Sequence, residues 1–227
     1  MIPYNQYRYL YPPRPEKALP SNVIPSYEAR NEYGAQPKLN GDCLLIFMNG
    51  IQTILMDRHN TVYSKSKIDL EIASLYRETL SDGVTNKWMV LVGEYMSKSQ
   101  RDASGSVWNH KFVIHDIIVY DGVQLVGDTF EERIELLDRL YGKDDKEITP
   151  TGIKKLDFLY TTTSSVCFRV KTYYHNLDKL WEDLVSIGMY EGLVFKKLKS
   201  RLENGNKVAN NSANMFKFRK ATKNYSH

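Results

Sequence analysis

QPKLNGDCLLIFMNGIQTILM, residues 36–56, is the stretch that decides the fold. Two apolar runs, 43–48 and 51–56, flank the pair Asn49-Gly50. Because Asn-Gly supplies the positive φ angles of a tight turn, this pattern predicts a β-hairpin. A rigid hairpin also fixes the residues that lead into it, so Lys38 is expected at the entrance to a buried sheet.

Helices and strands interleave beyond this hairpin. Apolar spacing in residues 68–76 predicts an amphipathic helix. A capping-box spacing at 129–132 opens a second helix that ends near Gly142, and a third helix lies between Asn176 and Gly188. Further strands are predicted at Trp88 to Tyr95, Lys111 to Tyr120, Val166 to Tyr173, Tyr190 to Lys197 and Met215 to Arg219, with a hairpin turn at Asp121-Gly122. Because β-α-β alternation is not strict, the expected class is α+β, with antiparallel sheets flanked by helices.

Length and composition bound the class of protein. The 227 residues suffice for one large domain, and 31 Lys and Arg against 27 Asp and Glu allow a nucleic-acid partner without demanding one. Cys43 and Cys167 lie in apolar runs, where we expect buried strand residues rather than metal ligands. No apolar stretch approaches the ~18 residues of a membrane span, and a signal peptide is missing. We therefore expect no membrane partner and a soluble, intracellular protein, cytoplasmic in its own cell or in a host cell.

The chain divides into two parts by composition. Residues 1–34 are rich in Tyr and Pro, which favours an extended segment packed on the domain formed by residues 35–227. Stacking of these tyrosines on nucleic acid is the alternative to packing.

The segment Lys38-Leu39-Asn40-Gly41 places an amine directly before the hairpin. An amine attacks phosphorus only when it is unprotonated, a form that burial or neighbouring cations favour. The four-residue pattern is common on its own, so an ordinary surface lysine before a turn is the alternative.

Other charged residues interrupt apolar strands in the same manner. One of them is Arg58, which follows the hairpin. The others lie in the segments Val92-Gly93-Glu94-Tyr95, Phe112-Val113-Ile114-His115-Asp116-Ile117, Glu191-Gly192-Leu193-Val194-Phe195-Lys196 and Phe216-Lys217-Phe218-Arg219. A charge in such a strand is costly unless it meets a partner, a metal or a ligand. One of them alone would indicate an ion pair, but the series indicates a shared polar site.

In these segments the sequence resembles the superfamily of ATP-dependent DNA ligases, RNA ligases and mRNA capping guanylyltransferases. That family carries Lys-x-Asp-Gly, an Arg segment, a Gly-Glu strand, an aromatic-Asp strand, Glu-Gly and Lys-x-Lys in this order, and the similarity spans roughly residues 35–220. It implies two antiparallel sheets with a nucleotide-binding cleft between them, as in ligase adenylation domains. Asn40 stands where the family has Asp, and Arg219 stands where it has the second Lys.

The resemblance also implies roles for individual residues. Lys38 would take AMP from ATP through a phosphoramidate bond, and Gln36 would contact the adenine edge. Glu191, together with Glu94, would hold the catalytic Mg²⁺ or Mn²⁺, and Glu191 and Lys217 would act with Lys38 in catalysis. The nucleotide-binding set implied by the family is Gln36, Lys38, Asn40, Gly41, Arg58 and Glu94 for the base, ribose and nucleophile, His115 for base stacking, and Glu191, Lys217 and Arg219 for metal and phosphates.

The polymer is the least determined part of the prediction. The chain ends eight residues after Arg219, which leaves no room for the OB domain that follows this region in DNA ligases and capping enzymes. We therefore expect an RNA ligase rather than a minimal DNA ligase, with a guanylyltransferase or an inactive nucleic-acid binding module as further alternatives. The expected partner is nucleic acid with 5′-phosphate and 3′-OH ends, and the chain is expected to be a monomer or to work with a partner that supplies the missing domain. The residues expected to bind nucleic acid are Arg58, Lys196, Lys197, Lys199 and Arg201.

Overall fold

The structure is a computed structural model. It describes residues 10–68, 71–72, 75–76, 87–98, 100–102, 105–141, 158–162, 164–205 and 210–221. Residues 1–9, at the beginning of the predicted N-terminal segment, and Gly142, where the second helix is predicted to end, lie outside these ranges.

Thirteen strands and three α-helices are assigned in the described residues. The strands are β1 (Arg14–Leu19), β2 (Tyr33–Leu39), β3 (Asp42–Met48), β4 (Thr53–Asp57), β5 (Met89–Met96), β6 (Gln100–Arg101), β7 (Val107–Trp108), β8 (Lys111–Tyr120), β9 (Val123–Gln124), β10 (Leu159–Thr161), β11 (Cys167–Val170), β12 (Tyr190–Lys197) and β13 (Asn211–Arg219). The helices are α1 (Ile24–Glu28), α2 (Phe130–Tyr141) and α3 (Leu177–Val185), with a 3-10 turn at Ser21–Val23.

Two sheets carry the fold. Sheet 1 has the strand order β1-β13-β12-β2, and sheet 2 has the order β10-β11-β8-β5-β3-β4, with β9 paired to β8. One apolar core packs sheet 2 against α2, and a second packs sheet 1 against α3. The α+β class is confirmed. Each sheet also contains one parallel pair, β1 with β13 and β11 with β8, which the expectation of purely antiparallel sheets missed.

The hairpin β3–β4 forms, but its turn is not the predicted one. Met48 pairs with Thr53, so the connection is longer than two residues, and neither Asn49 nor Gly50 has a positive φ angle. The Asn49 side chain closes the loop instead, because its Oδ1 accepts hydrogen bonds from the backbone N–H groups of Ile51 and Gln52, both at 2.9 Å. Side-chain capping thus replaces the positive-φ turn. The Asp121-Gly122 turn has the predicted positive φ angles, 47° and 81°.

The predicted helices form in the parts of the chain that the structure describes. Helix α2 begins with the predicted capping box, in which Thr129 Oγ1 accepts from the Glu132 N–H at 3.2 Å and Glu132 Oε2 accepts from the Thr129 N–H at 2.7 Å. In the helix predicted at 68–76, Ile68, Ile72 and Leu75 are buried, while residues 69, 70, 73 and 74 lie outside the description. None of the described helices combines the length and the apolar character needed to cross a membrane.

The N-terminal segment is only partly extended. Residues 14–19 form an edge strand of sheet 1, but residues 21–28 are helical. The Pro-rich composition suggested extended backbone throughout, yet Pro25 lies at the start of α1, where its missing N–H costs no hydrogen bond. Burial of Ile24 in the core anchors this turn. The division into two parts at residue 34 stays a prediction.

Candidate active site

A cavity of about 430 Å³ lies between the two sheets. Both sheets contribute side chains, because the charged residues that interrupt their apolar strands point into the space between them. The lining includes Arg14, Gln36, Lys38, Gly41, Cys43, Arg58, Glu94, His115, Lys196 and Lys217. Residues far apart in sequence therefore share one polar site.

Lys38 lies on β2 and faces a carboxylate of the neighbouring strand. In the register of β2 with β12, Lys38 pairs with Gly192, the residue after Glu191. The Lys38 side chain is 19% exposed, and its Nζ forms an ion pair with Glu191 Oε2. Arg219 on β13 reaches the same oxygen, with Nη2 at 3.2 Å. One carboxylate thus holds two cations at the floor of the cleft.

Gly192 allows β12 and β13 to approach each other beside this ion pair. Its φ angle is 143°, and a Cβ atom added there would lie 2.0 Å from the carbonyl oxygen of Phe218 and 2.8 Å from the Trp181 ring. A side chain does not fit, so the Glu-Gly sequence has a steric reason. The position of Glu191 depends on this approach.

A third cation, Lys217, lines the cavity from β13. Burial lowers the pKa of its amine, and the nearby Arg219 and Lys38 lower it further, while Glu191 opposes the shift. Three basic side chains with one carboxylate between them make this side of the cleft suitable for a group with several negative charges.

Glu94 and Gly41 connect the opposite wall to the hairpin entrance. Glu94 Oε1 accepts a hydrogen bond from the Gly41 N–H at 3.0 Å. A Cβ atom on Gly41 would lie 2.5 Å from the Tyr95 carbonyl oxygen and 2.9 Å from Glu94 Cγ, so only glycine fits. Burial raises the pKa of Glu94 to about 7, although Lys38 and the Gly41 N–H act in the opposite direction.

Gln36 and His115 meet at the inner end of the cavity. Gln36 is 2% exposed, and its Nε2 donates to the His115 carbonyl oxygen at 3.3 Å and to Thr172 Oγ1 at 3.2 Å. Among the described residues, the buried atoms Gln36 Oε1 and His115 Nδ1 have no hydrogen-bond partner. Burial lowers the pKa of His115 to about 3, with a further contribution from Lys196, so its imidazole is neutral near pH 7. Both residues line the cavity, and buried polar atoms without partners are uncommon in folded proteins.

Behind His115, three buried charged residues join the two sheets. Asp116 on β8 accepts from Arg133 of α2 through both oxygens, at 2.8 and 3.1 Å, and Lys196 Nζ on β12 lies 3.7 Å from Asp116 Oδ2. Lys196 Nζ also donates to the His115 carbonyl oxygen at 3.2 Å. Burial acts to raise the pKa of Asp116, but the two cations outweigh it and hold the value well below normal. We call Asp116, Arg133 and Lys196 the buried triad.

Comparison with solved structures identifies proteins of similar architecture. Mycobacterial DNA ligase D, complexed with ATP and MES, matches with a TM-score of 0.59 and 17% identity over 92% of this chain and 60% of that chain. The ligase domain of M. tuberculosis LigD matches with a TM-score of 0.56 and 16% identity, covering 92% and 59%. The ATP-dependent DNA ligase of bacteriophage T7, complexed with ATP, matches with 0.56 and 13%, covering 92% and 68%. The chain has the fold of ATP-dependent ligases.

The chain spans about 60% of the length of the first two of these ligase structures. No protein-family model and no curated protein matches the sequence. At identities below 20%, the likeness concerns the ligase fold, and the chemistry has to be argued from the residues of this chain.

Within the ligase fold, the sequence-derived site residues fall into three groups. Gln36, Lys38, Gly41, Arg58, Glu94, His115 and Lys217 line the cavity, and Glu191 and Arg219 reach it through their contacts with Lys38. Asn40 is exposed, and its backbone N–H donates to the Met189 carbonyl oxygen at 3.2 Å. The roles of these residues stay predictions, but their positions agree with one site.

The basic run after Glu191 does not form one continuous surface. Lys196 is 4% exposed and belongs to the buried triad, so its assignment to an open nucleic-acid surface is wrong. Lys196 points from β12 towards Asp116 on the other sheet. Lys197 pairs with Glu32 at 3.3 Å, and exposed Lys199 pairs with Glu131. Exposed Arg201 donates to the Gly127 carbonyl oxygen at 2.7 Å.

Sequence reasoning missed some residues of the site. Arg14, in the segment expected to be merely extended, lines the cavity because β1 is an edge strand beside β13. Cys43 also lines it, although its apolar surroundings suggested a core residue. The role of Arg133 was hidden, because a helical arginine gives no sign of the strand carboxylate that it meets. The only signal was Asp116 itself, a carboxylate between apolar strand residues.

The resemblance noted in the sequence implies a divalent cation, and the carboxylates present fit one. Mg²⁺ is usually held by one or two carboxylates together with substrate phosphates. Glu191 and Glu94 supply carboxylates on opposite walls of the cleft, and each uses one oxygen in the contacts described above. Glu191 is the better placed of the two, because it lies among the cations that would face the phosphates.

Proposed function

We propose that this chain is an ATP-dependent polynucleotide ligase whose Lys38 amine takes AMP from ATP. The main observation behind this proposal is the position of Lys38 at the floor of the cleft, between Glu191 and the cations Lys217 and Arg219. A covalent lysine nucleophile requires a rigidly held, partly buried amine facing the phosphate that it attacks. A surface lysine before a turn, which was the alternative, would not face a cavity and three charged neighbours.

The chemistry follows from these neighbours. The Lys38 ammonium first gives one proton to Glu191 or solvent; the neutral Nζ then forms a bond to the α-phosphorus of ATP, the bond to the bridging oxygen breaks, pyrophosphate leaves, and the nitrogen gives a second proton to solvent. Lys217 and Arg219 stabilise the charge that develops on the phosphates, which is the main task of a phosphoryl-transfer site. Mg²⁺, when bound at Glu191, supplies further neutralisation of the phosphate charge. The AMP then activates a nucleic-acid 5′-phosphate for attack by a 3′-OH.

Gln36 supports adenine as the base. Its Nε2 is engaged by the His115 carbonyl and by Thr172, so its free Oε1 is an acceptor. The adenine 6-amino group donates a hydrogen bond, whereas the guanine 6-oxo group only accepts. This acceptor favours ATP over GTP, and it speaks against the guanylyltransferase alternative.

The experiment is covalent labelling. Incubation with ATP labelled at the α-phosphate, followed by a denaturing gel, is expected to label the wild-type chain, and the Lys38→Ala variant is expected to carry no label. Lys17→Ala, at an exposed lysine of the same sheet, is the matched control and should label normally. Absence of label on the wild-type chain would leave the inactive binding module as the better account. Labelling by GTP in preference to ATP would favour the guanylyltransferase.

The polymer is proposed with less support from the site. We keep the preference for RNA ends that the sequence suggested. Against it, the strand Glu191 to Lys196 looks at least as much like those of DNA ligases, and the two matched enzymes named above are DNA ligases. Sealing of matched RNA and DNA nicks decides between them. Joining confined to DNA would replace RNA ligase by DNA ligase and leave the labelling result intact.

A further inference from the structure

Three side chains of different chemistry converge on the sheet 2 wall of the cleft. Cys43, Glu94 and His115 each offer one ligand atom, and these atoms all lie within 4.8 Å of one another. Cys43 on β3 stands opposite Glu94 on β5 in the strand register, and β8 is the next strand of the sheet. Neighbouring strands therefore bring the three groups together in a rigid sheet.

An irregularity in the sheet brings His115 to this position. Val92 pairs with Asp116 and Gly93 pairs with Ile114, so His115 is the extra residue of a bulge between β5 and β8. Bulges re-aim side chains and are frequent beside functional sites. The buried Nδ1 of His115 has no hydrogen-bond partner among the described residues, which is unusual for a buried nitrogen.

We propose that Cys43, Glu94 and His115 form a binding site for a thiophilic divalent cation of the Zn²⁺ class. Zn²⁺ takes sulfur at about 2.3 Å and imidazole nitrogen at about 2.0–2.1 Å, so two of its tetrahedral ligands lie about 3.5 Å apart. The three ligand atoms lie within 4.8 Å of one another. They therefore have to approach one another by little more than about 1 Å to reach the spacing of tetrahedral zinc ligands. Three protein ligands leave the fourth position open to water or another ligand.

The donor set separates this site from the Mg²⁺ site of the proposed function. Thiolate and imidazole select Zn²⁺, Co²⁺ or Cd²⁺, whereas Mg²⁺ prefers oxygen. The imidazole is neutral near pH 7 and so has a lone pair to give. Cys43 is a thiol in the metal-free chain, because burial and Glu94 raise its pKa to about 12. A coordinating ion displaces the thiol proton to solvent as the metal–sulfur bond forms.

Occupation of this site has a consequence that rests on the proposed function. Glu94 and His115 are residues for which the family resemblance implies contacts with the nucleoside, and all three ligands line the nucleotide cavity. They cannot serve the ion and the nucleoside at once. A thiophilic cation is therefore expected to exclude the nucleoside and to block adenylation of Lys38.

The test uses Co²⁺, which reports thiolate coordination through a charge-transfer band in the near ultraviolet. The metal-free full chain, kept reduced, is titrated with Co²⁺, and one equivalent is expected to bind with this band. Cys43→Ser is expected to lose the band and to weaken Co²⁺ binding by more than about 100-fold, since even outer-shell partners change affinity by about 10–100-fold. Cys167→Ser removes the buried cysteine of β11 and should leave the band unchanged. His115→Gln provides a second ligand variant, expected to weaken binding while keeping Cys43.

Two outcomes overturn the site: no charge-transfer band in the wild-type chain, or a band that persists in Cys43→Ser. The exclusion is tested separately with adenosine, which lacks the phosphates that chelate cations. Adenosine is expected to release the bound Co²⁺, and simultaneous binding of both would refute exclusion. A chain that binds Co²⁺ through Cys43 but takes no label from ATP would refute the proposed function alone, so the two failures are distinguishable.

Discussion

Asp116 is the carboxylate that compensates both cations of the buried triad, so its loss should cost much stability. In Asp116→Asn, two buried cations, Arg133 and Lys196, lose the carboxylate that compensates them, while the size of the side chain is kept. All three side chains are almost inaccessible to solvent: the exposed fraction of the side chain is 4% for Asp116 and Arg133 and 5% for Lys196. Breaking a buried pair by removing one partner costs about 3–5 kcal/mol, because uncompensated charge remains inside.

This loss is large for a chain of such length. For a domain of about 150–250 residues, 1 kcal/mol shifts the melting temperature by about 2–4 °C, so Asp116→Asn should melt about 6–20 °C below the wild type. The measurement is urea unfolding and thermal unfolding at pH 6, where Lys196 of the wild type is protonated and where the loss of Asp116, which raises the pKa of Lys196, has its full effect. The pKa of Lys196 is lowered by burial to about 8, although Asp116 opposes the shift, and at higher pH loss of its proton would relieve part of the cost.

The matched control removes a carboxylate of the same type from the surface. Asp121 pairs with Lys87 at 2.8 Å, but these side chains are 48% and 60% exposed. Asp121→Asn should therefore change stability by about 0–1 kcal/mol. Equal effects of the two substitutions would refute the view that the buried triad joins the sheets. A variant with Asp116→Leu, Arg133→Met and Lys196→Met should recover much of the stability, since no buried charge is left.

The remaining predictions concern the site and the surface. Gly192→Ala should cost at least about 2 kcal/mol in urea unfolding, because its Cβ would lie 2.0 Å from a backbone oxygen, whereas Gly188→Ala, with its nearest atom at 3.9 Å, should be close to neutral. Because the folded pKa of Asp116 is depressed below its ordinary 3.8, the wild type should hold this stabilisation above about pH 4 and lose it as pH falls further, and Asp116→Asn should lack that part of the acid dependence. Gln36→Met should reduce the preference for ATP over GTP in labelling by about threefold to tenfold, the value of one hydrogen bond, and unchanged preference would contradict the assignment of Oε1 to adenine. Added salt should leave adenylation of Lys38 nearly constant, while sealing of nucleic-acid ends falls with a log-log slope of roughly −2 to −4, as expected for three to five phosphate contacts, and equal salt dependence of the two steps would argue against a surface of exposed basic residues.

The long apolar strands of this fold were predictable from the sequence, whereas β1, β2, β6, β7 and β10 were not predicted. The predicted bounds of β8 and β12 coincide with the observed ones, Lys111–Tyr120 and Tyr190–Lys197. The parallel pairing of β1 with β13 was not predictable, because it joins Arg14 to Asn211 across most of the chain and no local pattern records it. The turn at Asn49 misled for a different reason, since its side chain offered the loop a hydrogen-bonded alternative to positive φ angles.

The candidate site was predictable to the extent that its charges interrupt apolar strands. Lys38, Glu94, Glu191 and Lys217 all meet at the cleft, as a shared polar site required. Lys196 was misplaced because it opens a basic run, and a run of like charges suggests exposure. Strand alternation puts Lys196 and Lys197 on opposite faces of β12, but Phe195 and Lys196 are both buried, so the period alone does not show which lysine points inward. Residues that act through a partner on another element, such as Arg133, leave no trace in their own segment.

The two walls of the cleft differ in charge, and this difference orients a nucleotide. Sheet 1 contributes Lys38, Lys217 and Arg219 around the carboxylate of Glu191, so this part of its floor is positive. Sheet 2 contributes Glu94 and the neutral imidazole of His115, and Arg58 after β4 adds one cation to that side. Under the proposed function, this distribution favours a triphosphate that lies along sheet 1, with the base near Gln36, whose Oε1 has no donor among the described residues. That orientation would bring the α-phosphate towards the Lys38 amine.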